Sequence, residues 1–236
     1  MPVPPSNPTV LLVAAGRGLG LALAEQFLTK GWHVIGTVRP GNPATGLHRL
    51  AGTAPGRVEV ETLDITDQPQ LTALRDRLSG RRLDMLFVNA GMTTQDEHIH
   101  VGEVTTAEFT EVMVTNALSP MRVVDHLQHL VTPTGLIGVM SSGQGSVTNN
   151  ETGRREIYRS SKAALNQLMR SFAARQPEPR RTLLLTAPGW VRTDLGGPNA
   201  PLAIEDSIPR LADVVLDQLG TPGLRYLDYR GDTVPW

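Results

Sequence analysis

Tyr158 and Lys162 are the residues of this 236-residue chain whose types and spacing point most directly to chemistry. They are four positions apart, and on a helix such side chains lie one above the other on the same face. A free phenol has a pKa of about 10 and exchanges protons poorly at neutral pH. A neighbouring ammonium favours the phenolate and lowers that pKa, which would make Tyr158 a proton-transfer group. The alternative is a surface tyrosine beside a solvated lysine.

Short β-branched runs alternate with longer helical patterns, which predicts βαβ units and a doubly wound α/β domain with helices on both faces of a parallel sheet. The predicted strands are Thr9–Ala15, His33–Val38, Arg57–Leu63, Met85–Asn89, Gly135–Met140, Thr182–Ala187 and Leu224–Leu227. The predicted helices are Leu19–Lys30, Gln68–Leu78, Glu108–Leu130, Glu156–Arg175 and Glu205–Leu219. We expect a flexible N-terminal arm over residues 1–8 and a single domain over residues 9–236. Ligands of such sheets bind at the carboxyl ends of the strands, so the loops that follow the strands are the places to look.

Composition argues against several classes of protein. The net charge of −1 gives no electrostatic footprint for a nucleic acid. The absence of cysteine rules out disulfides, thiolate catalysis and cysteine-ligated metals. No stretch approaches the roughly 20 apolar residues of a membrane helix, and the N-terminus does not resemble a signal peptide. We therefore expect a cytoplasmic protein with neither nucleic-acid nor membrane partners.

Scattered basic residues show no pattern of a ligand site. The histidines lack the spacing of metal ligands, so no metal is expected. The arginine pairs are interpreted as solvated loops and element ends; they are Arg81–Arg82, Arg154–Arg155 and Arg180–Arg181.

A glycine-rich turn follows the first predicted strand and leads into the first helix. Its residues are Ala14, Gly16, Arg17, Gly18, Leu19 and Gly20. Glycines permit a tight turn with close backbone approach, and the free N–H groups at a helix N-terminus bind phosphate oxygens. Turns before helices also use glycine for conformational reasons alone. The position after the first strand favours a dinucleotide phosphate site.

The end of the second predicted strand distinguishes the two nicotinamide dinucleotides. A carboxylate there would bind the ribose 2′-hydroxyl of NAD(H), whereas an arginine accommodates the 2′-phosphate of NADP(H). Arg39 stands at this position, and Arg17 in the glycine-rich turn could reach the same phosphate. The pattern favours NADP(H) over NAD(H); the alternative is two exposed arginines with no ligand.

Further candidates follow the other predicted strands or lie near them. Asp64 and Ile65 could contact the adenine, although Asp64 or Thr66 could equally cap the next helix. Asparagine is a mediocre helix former, so Asn116 within a predicted helix favours a functional explanation. The remaining candidates are the small-residue turn Asn89, Ala90 and Gly91 and the hydroxyl of Ser142.

Taken together, these residues resemble the short-chain dehydrogenase/reductase family over nearly the whole chain. The family's Tyr-x-x-x-Lys pair, preceding serine and helical asparagine match Tyr158, Lys162, Ser142 and Asn116. Its Asn-Asn-Ala-Gly signature appears here as Val88-Asn89-Ala90-Gly91. Its Pro-Gly segment after the sixth strand matches residues 188–194, which implies cofactor contacts for Pro188, Gly189, Val191 and Thr193. Within the family, the chain is similar to the C-factor proteins and, more distantly, to the sniffer-type carbonyl reductases.

The resemblance implies a Rossmann fold of about seven strands in the order 3-2-1-4-5-6-7 and an NADP(H)-dependent carbonyl reductase or alcohol dehydrogenase. Tyr158 would exchange a proton with a small carbonyl or alcohol substrate, and Ser142 would bind the substrate oxygen. Lys162 would lower the pKa of Tyr158 and, with Tyr158, contact the cofactor, while Asn116 would position a water. Loops over residues 92–100, 146–156 and 190–204 are expected to line the substrate site.

The resemblance also bears on how the chain assembles and on which other functions are possible. A homodimer or homotetramer is expected, formed through the two long predicted helices. Two other functions stay open: a lyase, isomerase or cyclase that uses Tyr158 as acid and base, and a cofactor-sensing signalling protein.

Two departures from the family pattern stand out. Val13-Ala14 replaces the usual Thr-Gly, so a hydroxyl that would tie the turn to a neighbouring strand is missing. If position 14 requires the left-handed conformation that glycine adopts easily, Ala14 is unfavourable; if its backbone is extended, alanine costs little. The segment between Ser142 and Tyr158 is also longer than usual, and Asn149–Gly153 is expected to form a flap at the substrate side.

Overall fold

A seven-stranded parallel sheet forms the centre of the computed structural model, which describes residues 7–41, 44–176 and 181–236. The strands are β1 (Thr9–Val13), β2 (His33–Val38), β3 (Val58–Thr62), β4 (Leu83–Val88), β5 (Val131–Met140), β6 (Thr182–Ala187) and β7 (Gly223–Asp228). Their order is β3-β2-β1-β4-β5-β6-β7, with every neighbouring pair parallel. The predicted Rossmann topology is confirmed. Of the predicted N-terminal arm, residues 1–6 lie outside the described residues.

Helices connect the strands and cover both faces of the sheet. They are α1 (Gly18–Thr29), α2 (Gly46–Thr53), α3 (Gln68–Arg77), α4 (Thr106–Met113), α5 (Ser119–Leu127), α6 (Glu156–Ala174) and α7 (Ile204–Asp217). A π-helical turn over Val114–Leu118 joins α4 to α5, and short 3₁₀ turns lie at Gln128–Leu130 and Gly143–Gly145. None of the helices in the described ranges is long and apolar enough to cross a membrane.

The central strands are buried on both faces of the sheet, which explains their continuous apolar runs. In β1, Leu11 and Val13 point into the core cluster shared with α3, α5 and α6. Val10 and Leu12 point into the opposite cluster, shared with α1, α2 and α7. Burying each such side chain contributes about 1.5–3 kcal/mol, so the two clusters hold the strand ends in register beneath the loops.

Helix α2 is an element that the sequence pattern did not predict. It lies between β2 and β3 in a stretch rich in glycine and proline, which hides its short apolar period. The Thr45 hydroxyl caps the helix by accepting a hydrogen bond from the His48 N–H. Leu47 is fully buried, and a Cβ at Gly36 would come within 2.6 Å of it, so α2 packs directly on β2.

The prediction of one continuous helix over Glu108–Leu130 was wrong. The helix begins at Thr106, after the Thr105 cap, and its α-helical ladder is broken by the π-helical turn. Pro120 lacks an N–H, so it cannot donate the α-helical bond to the Asn116 carbonyl, and the ladder slips to the wider spacing. The break therefore falls at Asn116, a candidate site residue.

Candidate active site

The glycine-rich turn forms a backbone cradle at the carboxyl end of β1. Arg17 precedes α1 with an extended backbone, and its side chain makes no capping hydrogen bond. The first turn of α1 contains no acidic residue either, so its N–H groups suit an anionic ligand. A Cβ at Gly20 would overlap the Ala14 carbonyl oxygen and lie 2.8 Å from the Asn89 amide nitrogen. Gly20 therefore lets the first turn of α1 approach the β1 and β4 loops closely.

Ala14 adopts the left-handed conformation, with φ of 65°. The sequence left open whether this position is left-handed or extended, and the structure places it in the region that glycine favours. The Thr37 hydroxyl on β2 accepts a hydrogen bond of 3.0 Å from the Ala14 N–H. This buried hydroxyl from the neighbouring strand ties down the turn, where the family pattern uses a threonine at the position of Val13.

Ala14→Gly should stabilise the protein. Glycine removes about 1–2 kcal/mol of strain from the left-handed conformation in the folded state. It also stabilises the unfolded state by about 0.4–1 kcal/mol, because the unfolded chain becomes more flexible. The net gain is about 0.5–1 kcal/mol, which corresponds to a Tm increase of about 1–4 °C for a domain of this size. Calorimetry checks the shift. Ala15→Gly is the matched control, because the buried Ala15 is not left-handed and its loss should lower Tm.

The two arginines predicted for the cofactor phosphate have different surroundings. Arg39 is exposed at the end of β2. Arg17 forms an ion pair with Asp194 that joins the glycine-rich turn to the segment after β6. Both side chains of this pair are largely exposed, so it contributes at most about 1 kcal/mol. An anionic ligand at this edge of the cradle would compete with Asp194 for Arg17.

Asp64 and Ile65 follow β3 as predicted, and their side chains have different surroundings. Ile65 is buried in the core cluster of α3, α5 and α6. The Asp64 carboxylate accepts hydrogen bonds from the N–H and hydroxyl of Thr66, which hold its pKa below the usual value, with a smaller effect of the nearby Arg39 charge. The capping alternative was wrong for both Asp64 and Thr66, because Asp67 caps α3 by accepting from Gln70 N–H.

The small-residue turn after β4 brings the cofactor candidates next to the catalytic candidates. The Asn89 amide donates to the Ala14 carbonyl at 3.3 Å, and its side-chain oxygen is buried without a hydrogen-bond partner in the described part of the chain. A Cβ at Gly91 would lie 3.4 Å from Lys162 Nζ and 3.5 Å from Asn116 Oδ1. The turn, which includes Ala90, therefore offers the Asn89 oxygen as a hydrogen-bond acceptor. The absence of a side chain at Gly91 lets a ligand lie close to Lys162.

Tyr158, Lys162 and Ser142 lie together beneath this turn. Tyr158 is buried on α6, and its phenol lies near enough to the Ser142 side chain, just after β5, for that side chain to lower its pKa. Lys162 is only 2% exposed, and its Nζ donates to the Met140 carbonyl at 2.9 Å. Its ammonium lies 5.9 Å from the centre of the Tyr158 ring. The helical spacing thus places the amine and the phenol together in a buried cluster, and the half-buried Ser142 lies beside them.

Burial dominates the electrostatics of this cluster. It raises the pKa of the Tyr158 phenol, and this rise is opposed by the Arg155 charge and by the Ser142 hydrogen bond. It also lowers the pKa of Lys162 to about 8, because the ammonium loses most of its hydration. Lys162 is therefore a cation that can be neutralised in the mildly alkaline range.

Asn116 has a fully satisfied side chain in the π-helical turn. Its amide oxygen accepts from the Met92 N–H at 2.8 Å, and its amide nitrogen donates to the Met92 carbonyl at 2.8 Å. The same nitrogen donates to Ser161 Oγ at 2.9 Å, and Ser161 in turn donates to the Tyr158 carbonyl. The side chain of Asn116 therefore fixes the start of the loop after β4 and ties it to the helix that carries Tyr158.

The Pro-Gly segment after β6 folds over the carboxyl edge of the sheet. The Pro188 carbonyl accepts from the buried Ser207 hydroxyl, which anchors the segment to α7. Val191 is buried and forms a bridge with Leu202, and the Thr193 hydroxyl accepts from the Gly196 N–H at 3.0 Å. A side chain at Gly189 would meet Leu202 and the Tyr229 ring.

Arg155 is a site residue that sequence reasoning missed. The pair Arg154–Arg155 was interpreted as solvated, and this is wrong for Arg155, whose side chain is 11% exposed. Its guanidinium lies 4.9 Å from the centre of the Tyr158 ring. The available signal is its position directly before the predicted helix that carries Tyr158. The pair Arg180–Arg181 falls partly outside the described residues, at Arg180.

A cleft of about 260 Å³ opens beside Arg155, at the start of α6. It is lined by His98, Ile99, His100 and the residues Thr152–Glu156. Two of the three loops predicted to line a substrate site therefore contribute to it. Within the described ranges, no cluster of three or more histidines, cysteines, aspartates or glutamates is arranged to hold a metal ion.

The pattern of these residues agrees with known proteins. A family model described as enoyl-(acyl carrier protein) reductase matches residues 13–210, which include every catalytic candidate. The chain belongs to the short-chain dehydrogenase/reductase family. It is thus an oxidoreductase by family, and the resemblance inferred from the sequence is confirmed.

Several relatives match over most of their length. A Burkholderia multivorans protein, described as a short-chain dehydrogenase/reductase and crystallised with bound NADP, is 58% identical, with a TM-score of 0.97 and coverage of 98% of this chain and 100% of that one. A Pseudomonas aeruginosa carbonyl reductase in complex with NADP is 36% identical, with a TM-score of 0.90 and coverage of 98% and 100%. The C-signal protein of Myxococcus xanthus is 36% identical over 65% of this chain and 93% of its own length.

Proposed function

We propose that this chain is an NADP(H)-dependent carbonyl reductase or alcohol dehydrogenase with Tyr158 as the proton donor and acceptor. The observation that carries the proposal is the buried phenol of Tyr158, which lies beside the Ser142 side chain and one helical turn from the buried ammonium of Lys162. Structural relatives that hold NADP support the choice of cofactor.

The cradle suits the cofactor in charge and in shape. The uncapped N–H groups of α1 suit the pyrophosphate, and the exposed Arg39 suits the 2′-phosphate. The side-chain oxygen of Asn89, which has no hydrogen-bond partner among the described residues, can accept from a ribose hydroxyl or an amide. The remaining residues proposed to hold NADP(H) are Ala14, Gly16, Arg17, Gly18, Leu19, Gly20, Asp64, Ile65, Ala90, Gly91, Tyr158, Lys162, Pro188, Gly189, Val191 and Thr193. When bound, NADP(H) supplies or accepts the hydride.

Proton transfer is the part of the reaction that the chain's own side chains perform. During reduction, Tyr158 gives its proton to the oxygen of the carbonyl substrate; during oxidation, the Tyr158 phenolate takes the proton of the alcohol. The Ser142 hydroxyl donates a hydrogen bond to the same oxygen, where negative charge develops. Burial of the cluster excludes water and strengthens both interactions.

Lys162 and Asn116 support the proton donor in different ways. The Lys162 ammonium favours the phenolate of Tyr158 and, near Gly91, is placed to hold a ribose hydroxyl. The side-chain amide of Asn116 is already hydrogen-bonded to Met92 and Ser161. We therefore assign the water-positioning role to the main-chain carbonyl of Asn116. Pro120 cannot engage that carbonyl through an α-helical bond.

NADPH should bind about tenfold or more tightly than NADH, because the 2′-phosphate gains a charge-assisted contact with Arg39. Arg39→Gln should remove most of this preference with little effect on NADH. Fluorescence titration of both cofactors measures it, and Arg75→Gln, at an exposed arginine of α3 that pairs with Asp76, is the matched control. Equal affinities in the parent protein would overturn the assignment of NADP(H).

A screen of carbonyl compounds with NADPH then tests the redox chemistry. Oxidation of NADPH by one class of carbonyls is the expected result. Tight binding of NADPH without oxidation by any carbonyl would favour a non-redox acid/base enzyme or a cofactor sensor.

We also propose a homodimer or homotetramer assembled through α4, α5 and α6. Two large apolar side chains on this side of the chain are exposed, Leu118 in the π-helical turn and Leu168 on α6. Light scattering decides the oligomeric state.

A further inference from the structure

We propose that Arg155 is a positioning residue of the proton donor, a second positive charge that stabilises the phenolate form of Tyr158 from the side of the substrate cleft. The inference rests on the proposed function, because it gives Arg155 a part in the proton transfer by Tyr158. It assigns to this chain a charge outside the four residues that match the family's catalytic pattern.

The guanidinium of Arg155 is closer to the phenol ring than the ammonium of Lys162. The distances to the ring centre are 4.9 Å for Arg155 and 5.9 Å for Lys162. A cation within about 6 Å of an aromatic ring is attracted to it, and more strongly where water is excluded. Arg155 is 11% exposed and Tyr158 is buried, so little solvent screens the pair.

The chain holds Arg155 in place at a cost. Arg155 precedes α6 in the left-handed conformation, with φ of 57°, which is unfavourable for a residue with a side chain. Its guanidinium donates to the Thr93 hydroxyl at 3.4 Å, and its Nε lies 3.3 Å from Glu97 Oε2 without forming a hydrogen bond. The loop after β4 and the start of α6 together aim the charge at Tyr158.

The charged and titratable groups around Tyr158 come from several elements. Arg155 faces it from just before α6 and Lys162 from α6 itself, and Glu97 acts on it through Arg155. Tyr226 of β7 lies near enough for the charge of Tyr158 to raise its pKa. His100 and Glu156 form their own ion pair at the exposed rim of the cleft. Arg155 is thus the cation of this group nearest to the phenol ring, and Glu97 is the carboxylate that moderates it.

The two cations differ in the pH range where they act. Burial lowers the pKa of Lys162 to about 8, so its charge fades under the alkaline conditions that favour alcohol oxidation. A guanidinium stays protonated throughout that range. Arg155 therefore maintains a positive charge beside Tyr158 after Lys162 has lost its own.

Arg155→Gln should move the rising limb of the pH profile for alcohol oxidation to higher pH by about one unit. Oxidation needs the phenolate, and loss of the cation raises the pKa of Tyr158. At a pH below that limb, kcat/KM should fall about tenfold. Arg155→Lys should restore most of the profile, because it keeps the charge. Arg154→Gln is the matched control: the neighbouring arginine lines the cleft but is exposed, and its loss should leave the limb in place.

Glu97→Gln provides a second, opposite test that leaves Arg155 intact. Removing the carboxylate unmasks the Arg155 charge, so the limb should move to lower pH. A limb unchanged in both Arg155→Gln and Glu97→Gln would overturn the inference.

Optical titration of the phenol separates this inference from the proposed function. Spectra are recorded in the absence of cofactor and substrate, for a protein that contains Tyr158 and for the same protein with Tyr158→Phe. The difference between the two spectra reports the ionisation of Tyr158. A higher titration midpoint in Arg155→Gln supports the inference, and an unchanged midpoint overturns it. Absence of NADPH-linked turnover in the parent protein overturns the proposed function instead, and does not alter the optical result.

Discussion

Tyr158→Phe should reduce turnover of any carbonyl substrate by about 10²–10⁴-fold, the usual contribution of a positioned general acid. Phenylalanine keeps the ring that packs on α6 and against Arg155, so the fold and NADPH affinity should stay close to those of the parent protein. The loss should appear in kcat, because the phenol contributes through the proton that it transfers. Steady-state kinetics and fluorescence titration on the same preparation check both parts.

Tyr229→Phe is the matched control for this variant. It removes a phenolic hydroxyl from a tyrosine just beyond β7, outside the Tyr158 cluster. Its turnover should equal that of the parent. Retained turnover in Tyr158→Phe would contradict the proposed mechanism. Loss of NADPH binding would show that the Tyr158 hydroxyl acts mainly by holding the cofactor.

Gly20→Ala should abolish measurable NADPH binding. The added methyl group would overlap the Ala14 carbonyl oxygen, which is backbone and cannot turn aside, and would lie 2.8 Å from the side-chain amide nitrogen of Asn89. Helix α1 must then move away from the β1 and β4 loops, which displaces the N–H groups proposed to bind phosphate. Overpacking of this kind costs about 1–3 kcal/mol of stability, so the fold should survive with a lower Tm. Fluorescence titration and calorimetry measure the two effects.

Gly52→Ala makes the same chemical change where there is room for it. No atom of the described structure lies within 4 Å of a Cβ built at Gly52, and the residue is inside α2, where alanine is favoured over glycine. This variant should bind NADPH normally and gain up to about 1 kcal/mol of stability. Unchanged NADPH affinity in Gly20→Ala would show that the glycine-rich turn does not hold the cofactor.

The sheet could be predicted from sequence because its strands are buried on both faces. A strand such as β6 shows a continuous apolar run that differs from the longer helical periods on either side of it. The site candidates follow from the same regularity, because parallel strands end at one edge and bring their following loops together. Gly91, Ser142 and Tyr158 follow β4, follow β5 and lie on α6, respectively, and the structure places Gly91 beside Lys162 and Ser142 beside Tyr158.

Features that depend on backbone conformation could not be predicted in the same way. The φ of Ala14 is set by the close approach of β1, α1 and Asn89, which no local pattern encodes. Arg155 looks like an ordinary surface arginine until α6 and the loop after β4 meet around it. The break at Asn116 had a visible cause in Pro120, but the apolar period on both sides predicted a continuous helix.

The buried amine of Lys162 has a consequence for spectroscopy. Lys30 and Lys162 are the chain's only two lysines; Lys30 pairs with Asp213 at the surface, and Lys162 is buried near Tyr158. Isotope labelling of lysine alone would therefore give magnetic resonance spectra with two side-chain signals, and the surface signal would act as an internal reference. The other signal would report on the neighbourhood of Tyr158 without any mutation.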